Sequence, residues 1–404
     1  MTPLKKYCGD KDMSFKSVLM ENVKHRPILG KLYKKSGFFV MNILKIFVRP
    51  DPYLILFNSY GGKKFDDSTR AIYLEMLGDD RFKDYKMVWA FHSPNDFPEI
   101  PEKVQTDSLK YFITALKARC WISNSSIQRG IDFKGKETFS FNTWHGTPLK
   151  DMSLSENYDK VNRIMNSCDV ILAQCKYEVD MFVKSWNISE SKYKILGLPR
   201  NDVLAKYTKE TKAVLRKKMR IPQDHLVVLY APTFRDYLLD DKSRCMLEVP
   251  FDYQYWEQKF GDSLTFIIRM HYEVAKHNQL PDKDMWIDAS DYPVLHELMI
   301  VSDILVSDYS SIMFDYSILG QPIINYLYDY DEYKQKRGLL LDIREELPWV
   351  DNSRELADMI FEMDKDYITE RVALFRSKYV EQFGNATHLS VNCIYENIKN
   401  KSEC

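Results

Sequence analysis

The chain has 404 residues, of which 45% are hydrophobic and 14% aromatic, and 57 Lys and Arg against 58 Asp and Glu leave a net charge of −1. This length predicts two domains with separate cores, because single domains mostly have about 100–200 residues. The composition excludes a wholly disordered or collagen-like chain. The near-neutral charge argues against a dedicated nucleic-acid-binding protein, so we expect no nucleic-acid partner.

The seven cysteines are scattered and odd in number, and no two have CxxC spacing. Disulfide frameworks and zinc cages need paired spacings, so the sequence predicts neither and favours a reducing compartment. We expect no signal peptide. No run approaches the about 20 apolar residues that a membrane span needs. The longest, over residues 38–48, is interrupted by Asn42 and Lys45.

Residues 1–50 form a basic, amphipathic segment. They contain 11 Lys and Arg against Asp10, Asp12 and Glu21, interleaved with large apolar side chains. This pattern is typical of a helix in a lipid headgroup layer, with apolar side chains inserted and cations meeting anionic lipid. The alternative is a helical arm that packs on the body with its lysines in water. We favour peripheral binding at the cytoplasmic face of the membrane.

After Pro50, short β-rich runs alternate with longer mixed segments. The first series predicts strands over 53–57, 87–91, 120–122 and 138–142, with helices over 68–77 and 108–118. A charged connecting helix over 206–220 leads to a second series, with strands over 226–230, 264–269, 285–287, 304–307 and 323–326 and a helix over 356–363. This alternation predicts α/β domains with parallel sheets covered on both faces. We expect two doubly wound domains facing a cleft, 51–203 and 204–404, after the basic segment.

The strand over 304–307 leads into a candidate phosphate site. Asp308 and Tyr309 follow it, and then Ser310 and Ser311 precede an apolar helix over 312–319. Serine is a preferred N-cap residue, so one of the two serines is predicted to cap this helix. A helix start offers free N–H groups and a positive dipole end, which together accept phosphate oxygens.

Two further strand ends of the second half carry polar side chains, at the edge where open α/β sheets bind ligands. Arg269 and His271 follow one strand on the same side of the chain, and Thr233 and Arg235 follow another. Together with the two serines they predict an anion site. A diphosphate with developing charge needs such donors where no metal neutralises it.

In the first half, His145 follows a strand end beside glycine and threonine. Imidazole is the usual base at neutral pH for removing a hydroxyl proton, and the assignment depends on His145 facing the anion site across a cleft. The turn with Gly61 and Gly62 either contacts an acceptor or a phosphate or is a plain loop. Asp329-Tyr330-Asp331 matches a DxD triplet, but we expect no metal there.

Several motifs together resemble the CDP-glycerol glycerophosphotransferase family, the bacterial teichoic-acid glycerol- and ribitol-phosphate transferases. They are WHGTPLK at 144–150, GLPRND at 197–202, APTFR at 231–235, RMH at 269–271, and SDYSS at 307–311 with FDY at 314–316. The resemblance implies a GT-B-like fold whose second domain holds the nucleotide. It further implies transfer of glycerol or ribitol phosphate from CDP-glycerol or CDP-ribitol to a hydroxyl of a lipid-linked acceptor, with release of CMP and without a cofactor.

Carried over residue by residue, the resemblance makes His145 and His271 catalytic. It places on the donor side Ser310 and Ser311 at the diphosphate, with Thr233, Arg235, Arg269, Asp308 and Asp315, and on the acceptor side Gly61, Gly62, Thr147 and Lys150. The family tends to have Asn-Pro where this chain has Asp67-Ser68. Two alternatives stay open: a glycosyltransferase using a nucleotide sugar, and a non-catalytic membrane scaffold of a polysaccharide complex. The sequence leaves open the alditol, the number of additions, the polymer (teichoic acid or capsule) and the oligomeric state.

Overall fold

The computed structural model describes residues 27–151, 158–233, 235, 237–238, 249–270, 280–281 and 283–400. His271 and residues 1–26 of the basic segment lie outside the described residues. The strands of the first half are β1 (Asp51–Asn58), β2 (Lys86–Phe91), β3 (Lys103–Gln105), β4 (Ala118–Ser123), β5 (Phe139–Asn142), β6 (Val170–Ala173) and β7 (Tyr193–Ile195). Those of the second half are β8 (Leu226–Tyr230), β9 (Leu264–Ile268), β10 (Trp286–Asp288), β11 (Ile304–Ser307), β12 (Ile323–Tyr326) and β13 (Trp349–Val350).

Helices connect and cover these strands. Those of the first half are α1 (Pro27–Phe47), α2 (Asp67–Leu77), α3 (Leu109–Lys117), α4 (Tyr158–Ser167) and α5 (Lys176–Trp186). The connecting region and the second half contain α6 (Asp202–Lys206), α7 (Lys209–Lys218), α8 (Tyr253–Phe260), α9 (Leu295–Val301), α10 (Ile312–Ser317), α11 (Tyr330–Arg337), α12 (Ile343–Glu346), α13 (Ser353–Phe361), α14 (Lys365–Tyr379) and α15 (Ala386–Asn400). The predicted connecting helix is α7, and it is shorter than the charged run.

Each half forms one parallel sheet. The strand order is β3-β2-β1-β4-β5-β6-β7 in the first sheet and β10-β9-β8-β11-β12-β13 in the second. In both, the order reverses beside the first strand, between β1 and β4 and between β8 and β11. Doubly wound sheets bind ligands outside the carboxyl ends of the strands at such a switch point. The two doubly wound α/β domains predicted from the sequence are confirmed.

The side chains of β1 show how the first sheet is covered on both faces. Leu54 and Leu56 pack into one buried cluster, which includes Met41 of α1, and Ile55 and Phe57 pack into another on the opposite face. A strand buried on both faces is apolar at every position rather than at alternate ones, which is why this run was recognisable in the sequence.

The last helix, α15, belongs to the first domain by its packing, although the boundary predicted from the sequence places it in the second. Its residues Val391, Ile394 and Ile398 are buried in the core of the first sheet. Asp202 fixes its start, because its carboxylate accepts hydrogen bonds from the N–H groups of Ala386 (2.9 Å) and Thr387 (2.8 Å). A carboxylate at a helix start also meets the positive end of the helix dipole. The chain therefore crosses between the domains twice.

Candidate active site

A sharply turned loop after β5 presents His145. The side chain of Asn142, the last residue of β5, accepts the N–H of Trp144 (2.8 Å), and Trp144 has a left-handed φ of 51°. The indole Nε1 of Trp144 donates to the carbonyl of Gly146 (2.8 Å), which closes the turn. The imidazole packs on the indole with ring centroids 4.1 Å apart. These contacts hold His145 in one orientation at the edge of the cleft.

One hydrogen bond sets the tautomer of His145. Its Nδ1 lies 3.1 Å from the backbone carbonyl of Asn124, the residue after β4. Because a carbonyl only accepts, Nδ1 carries the hydrogen and Nε2 keeps the lone pair that can take a proton. His145 is exposed at the cleft, but the protein around its ring partly desolvates the imidazole and lowers its pKa, while the Asn124 carbonyl and the charge of Asp67 act in the opposite direction. The imidazole is therefore neutral at pH 7, as a general base must be.

Asp67 lies behind the His145 loop, buried and with a φ of 67°, a conformation that aspartate adopts more readily than most residues. It accepts a hydrogen bond from the side-chain amide of Asn124 (2.7 Å) and forms an ion pair with Arg200 (3.1 Å). Burial alone would raise the pKa of Asp67, but Arg200, the Tyr60 hydroxyl and Asn124 lower it to about 2. Asp67 is thus a permanent negative charge close to His145.

The loop of His145 also contacts the second domain. Gly146 has a φ of 146°, and a Cβ at this position would lie 2.7 Å from the hydroxyl oxygen of Ser311. Nearby, the N–H of Leu340 donates to the carbonyl of Leu149 (2.9 Å). The structure therefore brings His145 and the serine-bearing helix start together across the cleft, as the sequence analysis required for the base assignment.

The predicted anion site begins at α10. Ser311 occupies the N-cap position, but its side chain makes no capping hydrogen bond. The hydroxyl of Ser310 accepts the N–H of Ile312 (3.3 Å) instead. Both serines are half-buried. Their hydroxyls and the first N–H groups of α10 lie at the switch point of the second sheet, which is the position expected for a bound phosphate group.

Arg235 is buried between two carboxylates, whereas a direct ligand of a diphosphate would face the cleft. Its side chain is 0% exposed and pairs with Asp308 (2.9 Å) and Asp329 (2.7 Å). Asp308 also accepts the N–H (2.9 Å) and the hydroxyl (2.6 Å) of Thr233. Arg235 thus holds the loops after β8 and β11 in place. Asp329, the first residue of the DxD triplet, forms an ion pair with Arg235.

Arg269 lies at the end of β9 and is half-buried. Its guanidinium donates to the carbonyl of Tyr292 (2.6 Å). Burial lowers the pKa of Arg269, and the charge of Asp66, from the loop before α2, acts in the opposite direction. Arg269 follows the carboxyl end of β9, at the edge where doubly wound sheets bind ligands.

The residues predicted on the acceptor side differ in accessibility. Gly62 is buried, and a Cβ there would lie 2.9 Å from the backbone nitrogen of His92, so its role is to allow close packing. Gly61 donates its N–H to the Ser125 hydroxyl (3.0 Å). Thr147 is buried and accepts a hydrogen bond from Gln174 (2.7 Å). Lys150 forms an antiparallel bridge with Leu339 of the second domain. Gly62 and Thr147 are buried by the packing of the first domain, so a direct contact of either with an acceptor is not supported, whereas the acceptor-side role of Gly61 and Lys150 stays a prediction.

Sequence reasoning assigned no role to Asn124, Asp67 and Arg200. Arg200 stands in the GLPRND motif, which was a usable signal, whereas Asn124 lies in none of the motifs quoted above. Among the described residues, no group of three or more His, Cys, Asp or Glu side chains is arranged to hold a metal ion.

A family model for CDP-Glycerol:Poly(glycerophosphate) glycerophosphotransferase matches residues 40–396. The chain belongs to this family. It is 30% identical over 393 residues to the teichoic acid glycerol-phosphate transferase of Staphylococcus aureus, with 91% of this chain and 99% of that protein covered. It is 33% identical over 315 residues to the teichoic acid poly(glycerol phosphate) polymerase of Staphylococcus epidermidis. That alignment covers 74% of this chain but only 43% of the polymerase.

The solved structure of the wall teichoic acid polymerase TagF has the same fold. A variant of TagF superposes with a TM-score of 0.82 at 27% identity, covering 96% of this chain and 98% of that chain. A TagF structure obtained after a soak with CDPG gives a TM-score of 0.80 at 27% identity and covers 95% and 98%. The GT-B-like arrangement implied by the motifs is thereby confirmed.

Proposed function

We propose that the chain transfers an alditol phosphate, glycerol phosphate or ribitol phosphate, from a CDP-alditol to a hydroxyl of a lipid-linked acceptor. The observation that carries the proposal is the approach of the His145 loop to the Ser310–Ser311 helix start, which Gly146 makes possible. A base and an anion site on opposite walls of one cleft are what this reaction needs. The family and its named relatives support the donor class and a teichoic acid, or a related surface polymer, as the product.

In the proposed reaction, the acceptor oxygen attacks the phosphorus that bears the alditol. A bond forms between them, and the bond from this phosphorus to the bridging oxygen of the diphosphate breaks. The electron pair of that bond leaves with CMP, and the acceptor proton passes to Nε2 of His145. The Nδ1–H donated to Asn124 holds the ring while the imidazole becomes charged.

The second domain stabilises the charge that develops on the departing CMP. The hydroxyls of Ser310 and Ser311 and the N–H groups that start α10 are fixed before the reaction, so no reorganisation is needed when the charge forms. Arg269 adds a cation, and Arg235 keeps the loops after β8 and β11 in place through Asp308. His271 follows Arg269 in the sequence and stays a predicted second catalytic imidazole.

A competition assay tests the donor class. The purified chain is incubated with CDP-glycerol or CDP-ribitol and a lipid-linked acceptor, and product length is read by mass spectrometry. We expect CMP and CDP to inhibit strongly and UDP and GDP weakly, because the predicted donor carries cytosine as its nucleobase. Stronger inhibition by UDP or GDP would indicate a nucleotide-sugar glycosyltransferase, and no consumption of either donor would indicate a scaffold.

We further propose that α1 holds the chain at an anionic membrane surface. Phe39, Ile43, Ile46 and Phe47 are exposed by 67%, 41%, 77% and 77%, and their spacing places them on one face of the helix. The opposite face packs on the first domain through Met41. An exposed apolar stripe on a helix rich in lysine is the pattern of an interfacial helix. No helix in the described part of the chain has the length and apolar character needed to span a bilayer.

Replacing Ile46 and Phe47 with glutamate is expected to abolish sedimentation with vesicles that contain anionic lipid. The substitution removes the apolar side chains that would enter the headgroup layer and adds charges that the lipid repels. Val214 of α7 offers a matched control, because it is 66% exposed on the second domain. Val214→Glu should sediment with the vesicles like the parent chain. Added salt should weaken the binding of the parent chain and of Val214→Glu to the vesicles. Unchanged binding of the α1 variant would contradict the proposal.

A further inference from the structure

A buried ion-pair network joins the two domains beneath His145. Arg200 lies in the turn between β7 and α6, and its two terminal nitrogens point to different domains. One nitrogen is 3.1 Å from the carboxylate of Asp67, and the other is 2.8 Å from that of Asp315 in α10. The side chains of Arg200, Asp67 and Asp315 are 10%, 1% and 6% exposed. Little solvent therefore competes for these contacts, which are accordingly strong and specific in geometry.

The network reaches His145 from two directions. The nitrogen of Arg200 that faces Asp67 also donates to the backbone carbonyl of His145 (2.8 Å). Asp67 in turn accepts the side-chain amide of Asn124, whose backbone carbonyl receives Nδ1–H of His145. The backbone and the ring of His145 are thus held by one closed set of contacts with Arg200 as a member.

The same network reaches the donor side. Asp315 lies one turn after the serines at the start of α10, and it accepts a second hydrogen bond from the side-chain amide of Asn201 (2.7 Å). A planar guanidinium donates in two directions at fixed angles, which the single ammonium of lysine cannot reproduce. Arg200 therefore sets the position of His145 relative to the helix start.

We propose that Arg200 is a positioning residue, which acts on the reaction through His145 by fixing the imidazole against the donor-binding helix. The inference rests on the proposed function. It assigns Arg200 no contact with either substrate, and its effect on the rate is conditional on the presence of the imidazole.

A double-mutant cycle with Arg200→Lys and His145→Ala tests the inference, with the rate of CDP-glycerol turnover and the affinity for CDP-glycerol measured for the full chain. Lysine keeps the positive charge between the two carboxylates, which limits the loss of stability. In the parent background we expect R200K to lower kcat about 10²-fold, the cost of a small misplacement of a catalytic group. In the H145A background the same substitution should leave the residual rate unchanged, because the group that it positions is gone. The affinity for CDP-glycerol should stay unchanged in both.

Arg216 supplies the matched control, because it is buried and pairs with Asp303 (2.7 Å) away from the cleft. R216K should change the rate by the same factor in both backgrounds. Asp315→Asn weakens the contacts of Arg200 and Asn201 with α10 and leaves the Arg200–Asp67 contact in place. It repeats the cycle should R200K fail to fold, and it should show the same dependence on His145. Equal loss of rate with and without His145 would overturn the positioning role. A parent chain that does not consume CDP-glycerol, or an H145A variant with full rate, would instead overturn the proposed function.

Discussion

Replacing His145 with alanine is expected to lower kcat about 10²–10⁴-fold, the usual contribution of a general base. The imidazole has its Nδ1–H fixed by Asn124 and its Nε2 available, so no other atom of this loop can take the acceptor proton. In the proposed reaction the donor is held by the other domain, through Ser310, Ser311 and Arg269. Affinity for CDP-glycerol should therefore change little, and the loss should fall on kcat.

Single-turnover rates and calorimetric titration with CDP-glycerol separate the two effects. His388 is a suitable control, because it lies on α15, its side chain is 53% exposed, and it pairs with the surface residue Glu75. His388→Ala should keep the parent rate. Full activity of His145→Ala would show that the base is another group. A large loss of affinity for CDP-glycerol would indicate that His145 binds the donor instead.

The pH dependence of the parent enzyme gives a second measurement of the same role. Partial desolvation of the ring lowers the pKa of His145, so the neutral, active form persists below the ordinary histidine value of about 6.5. We expect kcat to be level through neutral pH and to fall only as pH drops below that value. Tyr60, Asp67 and Arg200 are the titratable or charged groups of the described chain that face the ring. An acid limb above neutral pH would contradict the assignment.

The strands could be predicted because their signal is local. β8, β11 and β12 agree with the predicted bounds to the residue, since each is a short, mostly apolar run buried on both faces of its sheet. Four strands, β3, β6, β7 and β13, were not predicted. Three of them, β3, β7 and β13, have only two or three residues, too few to form a pattern, whereas β6 is an apolar run of four residues that was overlooked. The place of α15 in the first domain could not be predicted either, because it depends on packing between residues about 300 positions apart in the chain.

The candidate site was predictable only where chemistry is visible in a short motif. His145 stands out by its glycine and threonine neighbours at a strand end. Asp67 and Arg200 are separated by 133 residues, and Asn124 and Asp67 by 57, so their contacts exist only in the folded chain. Arg235 shows the converse: its motif and charge suggested a phosphate ligand, but the fold buries it between two carboxylates.

Replacing Arg235 with methionine is expected to lower the free energy of unfolding by about 3–5 kcal/mol, the cost of removing one partner of a buried ion pair. The substitution leaves Asp308 without its cation at a position that is 0% exposed, and Asp329 with the same loss at 11% exposure. It also removes a guanidinium that lies 5.0 Å from the ring centroid of Tyr309 and 4.9 Å from that of Tyr333. Domains are stable by only about 5–15 kcal/mol, so the effect should be plain in thermal or urea unfolding.

Arg354→Met is the matched control, because Arg354 also pairs with a carboxylate, Asp252 (2.8 Å), but is 67% exposed. A surface pair contributes at most about 1 kcal/mol, so this variant should unfold close to the parent chain. The comparison also distinguishes the two roles considered for Arg235. If Arg235→Met unfolds like the parent and instead loses affinity for CDP-glycerol, the guanidinium is a direct ligand of the diphosphate. A large loss of stability identifies it as the residue that holds the loops after β8 and β11 in the shape the donor requires.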